Sequence, residues 1–260
     1  IVISKVEHAA VKNSAVYLQE KHGFEVDYVE LNPDASPSLD HLKKLIRKDT
    51  VLVSLMHVNN EVGTISNIVE IGQLCRSNQV LFHTDAVQSF GKIKLNLKEL
   101  PIDLLSASAH KIYGPKGAGF VYVKKGVKFE KIQMGGHQEF ELRGGTENVT
   151  AIVGFCAAIE RMVIDRDAEN ERLKSLQNLL ITRIENEIPD VILNGSRISR
   201  STSNVNFSIG GCDGEAILHL LDSRGIAVSS GSACASGSIQ PSDVICALHE
   251  NPHYQKSAIR

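Results

Sequence analysis

Nowhere does the 260-residue sequence approach the ~18–20 consecutive apolar residues needed to cross a bilayer, and no signal-peptide pattern opens it. It has no C-x-x-C pair. Its five cysteines (Cys75, Cys156, Cys212, Cys234, Cys246) are odd in number and widely spaced, which argues against a disulfide framework and against a zinc knuckle. The expected location is therefore a reducing compartment, cytoplasm or an organelle matrix. An excess of one charge is lacking as well. The net charge of −2 leaves no bulk electrostatic case for a nucleic-acid or anionic-membrane partner. Gly114-Pro-Lys-Gly117 misses the G-x-x-x-x-G-K-[ST] spacing of a phosphate-binding P-loop. Missing too is any Met, cap or turn before Ile1. Ile1–Ser4 reads as a strand already under way and Ser257–Arg260 stops abruptly, so a segment of a longer chain is expected.

What is present is a globular composition, 42% hydrophobic and 22% charged, on a chain long enough to bury a core. Apolar runs alternate with helix-period stretches. Strands are expected at Ile1–Ser4, Phe24–Leu31, Val51–Met56, Val80–His83, Leu104–Ala107 and Gly119–Val123. Between them lie helices at His8–His22, closed by Gly23, from Ser38 through Ile46, and from Asn67 through Asn78. This alternation predicts an α/β fold with a mostly parallel sheet flanked by helices. From about Asp165 the texture changes to a long charged helix (Ala168–Glu187), short strands around Val191–Leu193 and Asn204–Ile209, and a helix at Asp213–Arg224. The expected division is a large domain over 1–165 and a smaller α+β domain over 166–260.

Ligands of parallel sheets bind at the carboxyl ends of the strands, and polar residues collect there: Asn59-Asn60-Glu61, Thr84-Asp85, and Ser108-Ala-His-Lys111. Lys111 sits past a strand end among small residues, where a desolvated pocket would favour the unprotonated amine of a Schiff-base lysine. A surface lysine before a glycine-rich turn is the alternative. Asp85 in His83-Thr-Asp85-Ala-Val-Gln88 is either a helix cap or the carboxylate that keeps a pyridinium nitrogen protonated. A metal at His83 and Asp85 lacks a third ligand, and no metal is expected. Cys234, in Ser229-Ser-Gly-Ser-Ala-Cys234-Ala-Ser-Gly-Ser238, has nothing large or apolar nearby and is expected to be an exposed, mobile, reactive thiol. Cys75, Cys156 and Cys246 read as core residues. Cys212, just before a helix start, is the second candidate thiol.

Six stretches, in order along the whole chain, carry a resemblance: Val6-Glu-His8-Ala-Ala-Val, Ser54-Leu-Met-His-Val-Asn-Asn60-Glu-Val-Gly63, His83-Thr-Asp85-Ala-Val-Gln88-Ser, Ser108-Ala-His-Lys111-Ile-Tyr-Gly-Pro-Lys-Gly117, Arg143-Gly-Gly-Thr146 and Ser229–Ser236. They resemble the cysteine desulfurases of nitrogen fixation and iron–sulfur assembly, class V pyridoxal-phosphate enzymes of fold type I. The resemblance implies pyridoxal 5'-phosphate as cofactor, held covalently by Lys111, which also shuttles the α-proton. It implies Asp85 on the pyridine nitrogen, and Gln88 and Asn60 around the phenolic oxygen and the substrate. His8 would stack on the ring and assist proton transfer, while Ser108 and His110 bind the phosphate. Thr146 would reach the phosphate of a partner subunit in a homodimer. Arg260 would clamp the carboxylate of L-cysteine, a bidentate task suited to guanidinium. Cys234 would take the sulfur as a persulfide and deliver it to acceptor proteins such as an iron–sulfur scaffold. The 26-residue separation of Cys234 and Arg260 matches the branch of the family with a long cysteine loop.

The sequence departs from the family pattern in two places. Where the family reads Gly-Gly-Gly-Gln-Glu-Arg-Gly, this chain has Gly135-Gly-His-Gln-Glu-Phe-Glu141. The family's N-terminal segment, with its phosphate-binding threonine, and its C-terminal remainder are not in the sequence. The expected activity is conversion of cysteine to alanine with sulfur left on Cys234. The alternatives are a selenocysteine lyase, another class V enzyme such as an aminotransferase, or a non-catalytic scaffold for sulfur-transfer partners. An aminotransferase would not need the Ser/Gly-rich cysteine loop, and a scaffold would lack the visible absorbance of a lysine-bound cofactor.

Overall fold

The computed structural model describes residues 1–230 and 241–260. Six strands form one sheet: β1 (Val2–Ser4), β2 (Asp27–Val29), β3 (Leu52–Ser54), β4 (Leu81–Asp85), β5 (Leu104–Ser108) and β6 (Gly119–Val123), in the order β2-β1-β3-β4-β5-β6. The first five are parallel, as the alternating pattern predicts, and β6 is antiparallel to β5. The reversal follows from chain length. A parallel return needs a crossover of about a dozen residues or more, and only a 3₁₀ turn (Ala109–Ile112) and a short glycine-containing loop separate β5 from β6. Phe24–Leu31 narrows to three strand residues because the Glu30 amide leaves the ladder and donates to Nδ1 of His41 at 2.9 Å.

The helices begin where capping side chains stand. Those of Ser38 and Asn67 accept from the amides of His41 and Glu70 at the starts of α2 (Leu39–Leu45) and α3 (Ile68–Ser77). Helix α1 (Ala9–His22) ends on Gly23 at φ 71°, the left-handed position glycine occupies at least cost. Helix α3 lies so close to the chain before β5 that a Cβ at Gly72 would sit 2.3 Å from the Pro101 carbonyl oxygen. Buried Val2, Val53, Leu55, Ile71, Phe82, Ile102 and Leu105 join sheet and helices in the main core.

The largest difference from expectation is α4 (Val149–Glu187), a continuous 39-residue helix that starts at Val149 instead of Ala168 and carries the backbone straight through Asp165. Its first turns pack on the 3₁₀ turn through Phe155, which meets Phe90 and Phe120 with ring centroids 6.0 and 5.9 Å apart. Beyond it, β7 (Val191–Leu193), β8 (Phe207–Ile209) and β9 (Ala258–Ile259) form a small antiparallel sheet. It is accompanied by α5 (Gly214–Asp222), α6 (Asp243–Leu248) and α7 (Pro252–Gln255). Among the described residues no helix is long and apolar enough to cross a membrane.

Cys75 is buried, as expected. Cys156 and Cys246 are exposed, which corrects their reading as core. Cys156 follows the inward-facing Phe155 on α4. In the six-residue α6, Val244 and Ile245 are buried and Leu248 packs beside them, leaving Cys246 outside. Cys212 is exposed.

Candidate active site

The carboxyl ends of β1, β3, β4 and β5 share one edge of the sheet. Past β1 stands His8, the extended N-cap of α1, whose Nδ1 accepts from the Ala10 amide at 3.1 Å. In a neutral ring the proton then sits on Nε2. Just before it, Glu7 is 2% exposed. Its Oε1 accepts from Ser4 Oγ at 2.7 Å and from the Met56 amide at 3.0 Å, while its Oε2 has no partner among the described residues. Burial pushes this carboxyl up to about 8.

Past β3, the Asn59 side chain folds the turn. Its Nδ2 donates to the Val6 carbonyl at 3.0 Å, and its Oδ1 accepts from the Glu61 and Val62 amides at 2.9 and 3.0 Å. Asn60 is thereby presented to a cavity of about 360 Å³ that Gln88 and Arg260 also line. Arg260 Nη1 donates to the Asn60 carbonyl at 2.6 Å, and the Arg260 backbone pairs with Ser229 in both directions. Lys92, Ser201, Ser203 and Asn204 complete much of the polar wall.

At the end of β4, Asp85 Oδ1 accepts from the Val87 amide at 2.8 Å. No helix follows, so Asp85 caps a turn instead of the helix expected as one alternative, and Oδ2 makes no hydrogen bond among the described residues. Two residues earlier, His83 lies between serines. Nδ1 is 2.7 Å from Ser54 Oγ and Nε2 is 2.6 Å from Ser106 Oγ. Burial lowers its pKa, against a small opposing pull from Asp85. Both ring nitrogens are occupied, and among the described residues no group of three His, Cys, Asp or Glu side chains is arranged to hold a metal.

Past β5, Ser108 leads into the 3₁₀ turn that carries His110 and Lys111. Both side chains of the turn are exposed, so Lys111 does not sit in the desolvated pocket expected for it. The His110 pKa is lowered by burial and by the charges of Lys111 and Lys116. Thr146 is exposed, on the loop before α4, and does not line the cavity. Cys234 lies outside the described residues. The structure thus gathers Asn60, Gln88 and Arg260 around one cavity and sets His8, Asp85, Ser108, His110 and Lys111 on the same sheet edge. Lys92 was missed by sequence reasoning, although it closes the Asp85–Gln88 stretch as Gly91-Lys92.

This set fits pyridoxal 5'-phosphate. A primary amine, a carboxylate with one oxygen uncommitted, and a serine hydroxyl that makes no hydrogen bond among the described residues stand together at the strand ends.

A family model described as aminotransferase class-V matches residues 1–260. A cysteine desulfurase IscS of Dictyoglomus turgidum is 48% identical over 249 residues, covering 96% of this chain and 63% of its own length. One of Methanosarcina thermophila is 44% identical over 256 residues, covering 97% of this chain and 63% of its own. A solved structure titled NifS-like protein superposes with a TM-score of 0.90 at 33% identity, covering 99% of this chain and 67% of that one. The chain therefore spans less than two thirds of the length of these curated relatives.

Proposed function

The chain belongs to the aminotransferase class-V family, and from that membership we propose that it carries the active site of an L-cysteine desulfurase. The observation that carries the reading is the convergence of Asn60, Gln88 and Arg260 on one cavity, at the sheet edge that also bears Asp85 and Lys111. When bound, pyridoxal 5'-phosphate supplies an electron sink for a carbanion at the substrate α-carbon.

Around it the residues divide the work. Lys111 Nζ would hold the cofactor covalently and move the α-proton. Asp85 Oδ2 would hold a proton on the ring nitrogen, and His8 would stack on the ring and assist proton transfer. Gln88 and Asn60 would donate to the phenolic oxygen and the substrate, and Ser108 and His110 would take the phosphate. Arg260 takes the substrate carboxylate in a two-point bond. The thiolate of Cys234 attacks the substrate sulfur. The Cβ–S bond breaks, an S–S bond forms, and a proton delivered to Cβ completes alanine. Sulfur-acceptor proteins, an iron–sulfur scaffold among them, then receive the persulfide.

We further propose a large unit over 1–165 and a smaller one over 166–260, with α4 spanning the join, in a homodimer that completes the phosphate site with Thr146. Cytoplasm or an organelle matrix suits the four free cysteines among the described residues.

Borohydride reduction of the full natural chain, followed by peptide mapping, is expected to tag Lys111, and cysteine is expected to leave a persulfide on Cys234. A tag on Lys116, or alanine release undiminished in Cys234→Ser, overturns the reading.

A further inference from the structure

The cavity holds a second cation. Gly91 takes φ 78°, a conformation side chains disfavour, and a Cβ there would lie a tight 3.0 Å from Ile112 Cγ2. The chain turns at this point, with the Lys92 amide donating to the Ser89 carbonyl at 3.0 Å. Asn170 of α4 then fixes both sides of the cavity. Its Nδ2 donates to the Lys92 carbonyl at 2.8 Å, and its Oδ1 accepts from Thr202 Oγ1 at 2.8 Å, between Ser201 and Ser203 of the facing wall.

Lys92 is thereby held at the cavity with a half-buried side chain, and its Nζ makes no hydrogen bond or ion pair among the described residues. Burial and the neighbouring charge of Lys111 lower its pKa. The lining offers amides and hydroxyls from Asn60, Gln88, Ser203 and Asn204, and no carboxylate. Glu61 feels the charge of Arg260, but its carboxylate accepts from Ser242 and does not line the cavity. Two half-buried cations line one small space whose described lining has no carboxylate of its own, an arrangement that an anionic ligand relieves.

We propose that Lys92 is a specificity-determining residue, selecting α-amino acids that carry a negative group on the β-carbon in addition to the carboxylate. The proposal rests on the reading above, in which Arg260 takes the α-carboxylate. A guanidinium matches the planar carboxylate. An ammonium on a flexible stem suits a second group whose shape varies: a thiolate, a carboxylate or a sulfinate.

L-Aspartate and L-alanine share a backbone and differ by a β-carboxylate, so they isolate the second contact. Calorimetric titration of the cofactor-loaded full chain is expected to show aspartate bound about ten-fold more tightly than alanine, the worth of one partly buried ion pair. Lys92→Met should erase that preference and leave the alanine Kd within about two-fold, since alanine has no β-group for Lys92 to meet. Lys92→Arg should restore most of the preference. A preference retained in Lys92→Met, or an equal loss for both amino acids, overturns the proposal. Arg260→Met tests the parent reading separately. It should weaken both amino acids alike, and unchanged binding of both removes that reading and the inference built on it.

Discussion

Glu7 is the residue on which sequence and environment pull furthest apart. It stands one position before His8, and nothing in its type announces that it is enclosed, with one oxygen lacking a donor among the described residues. Its folded-state pKa of about 8 lies above the ordinary 4.5. The folded protein therefore keeps a proton that the unfolded chain gives up between those values, and stability falls as pH rises through that window. His57 has the opposite sense. Burial lowers it from 6.5 to about 4, so its contribution is lost as pH falls through that range. The two slopes offset below about 6.5. Above it Glu7 acts alone, at most about 1.4 kcal/mol per pH unit. Denaturant midpoints measured from pH 6.5 to 8 should fall in the wild type and stay nearly level in Glu7→Gln. A parallel fall in both proteins would show that Glu7 is ionised when folded.

At the scale of elements, the aromatic group of Phe90, Phe120 and Phe155 is what seats the turn bearing Lys111 against α4. Truncating buried Phe155 to alanine should cost about 3–5 kcal/mol, as large-to-small core changes do. It should also speed hydrogen exchange in Ala109–Ile112 ahead of the main sheet, because Ala109 and Ile112 lose their packing partner. Equal protection of the turn in both proteins would refute the linkage. Caps and β-branched runs made most elements legible: Ser38, Asn67 and Gly23 stand where helices start or stop. What was not legible depended on partners distant in sequence. Alternation in Gly119–Val123 is the same for either strand direction. The rise in charge near Asp165 marks a change of exposed face along α4, not a break in its backbone. The order of the motifs pointed to Asn60 and Gln88, and the resemblance they carry implied Arg260. Lys92 stayed hidden because its position depends on Asn170 and Thr202, a contact across 78 residues in the first case.

For the whole molecule, the informative surface runs from the loop after β6 into α4. Ile132 (96%), Met134, Phe140 (93%), Val149 and Val153 are exposed together with Tyr113, a density of large apolar groups that a second copy could cover. The substituted segment His137–Glu141 lies within it, with His137 Nδ1 on Glu141 Oε1 at 2.5 Å. If Thr146 completes the partner's phosphate site, subunits carrying Lys111→Ala and Thr146→Ala should complement each other. With equal amounts and full exchange, about half of the dimers are then mixed, each with one native site of its two, so about a quarter of all sites are restored. Cofactor absorbance and sedimentation, read together, check this. Mixed dimers no better than either parent would mean that the sites are not shared.

Helix α4 has a mechanical side. At 1.5 Å per residue its 39 residues make a strut of about 58 Å. One end bears on the turn that carries Lys111, the middle is tied to Lys92 and Thr202 through Asn170, and the far end meets β7. A strut resists bending far more than sliding. Parting of the cavity walls would have to break the Asn170 contacts to Lys92 and Thr202, which makes that side chain the pin of the strut.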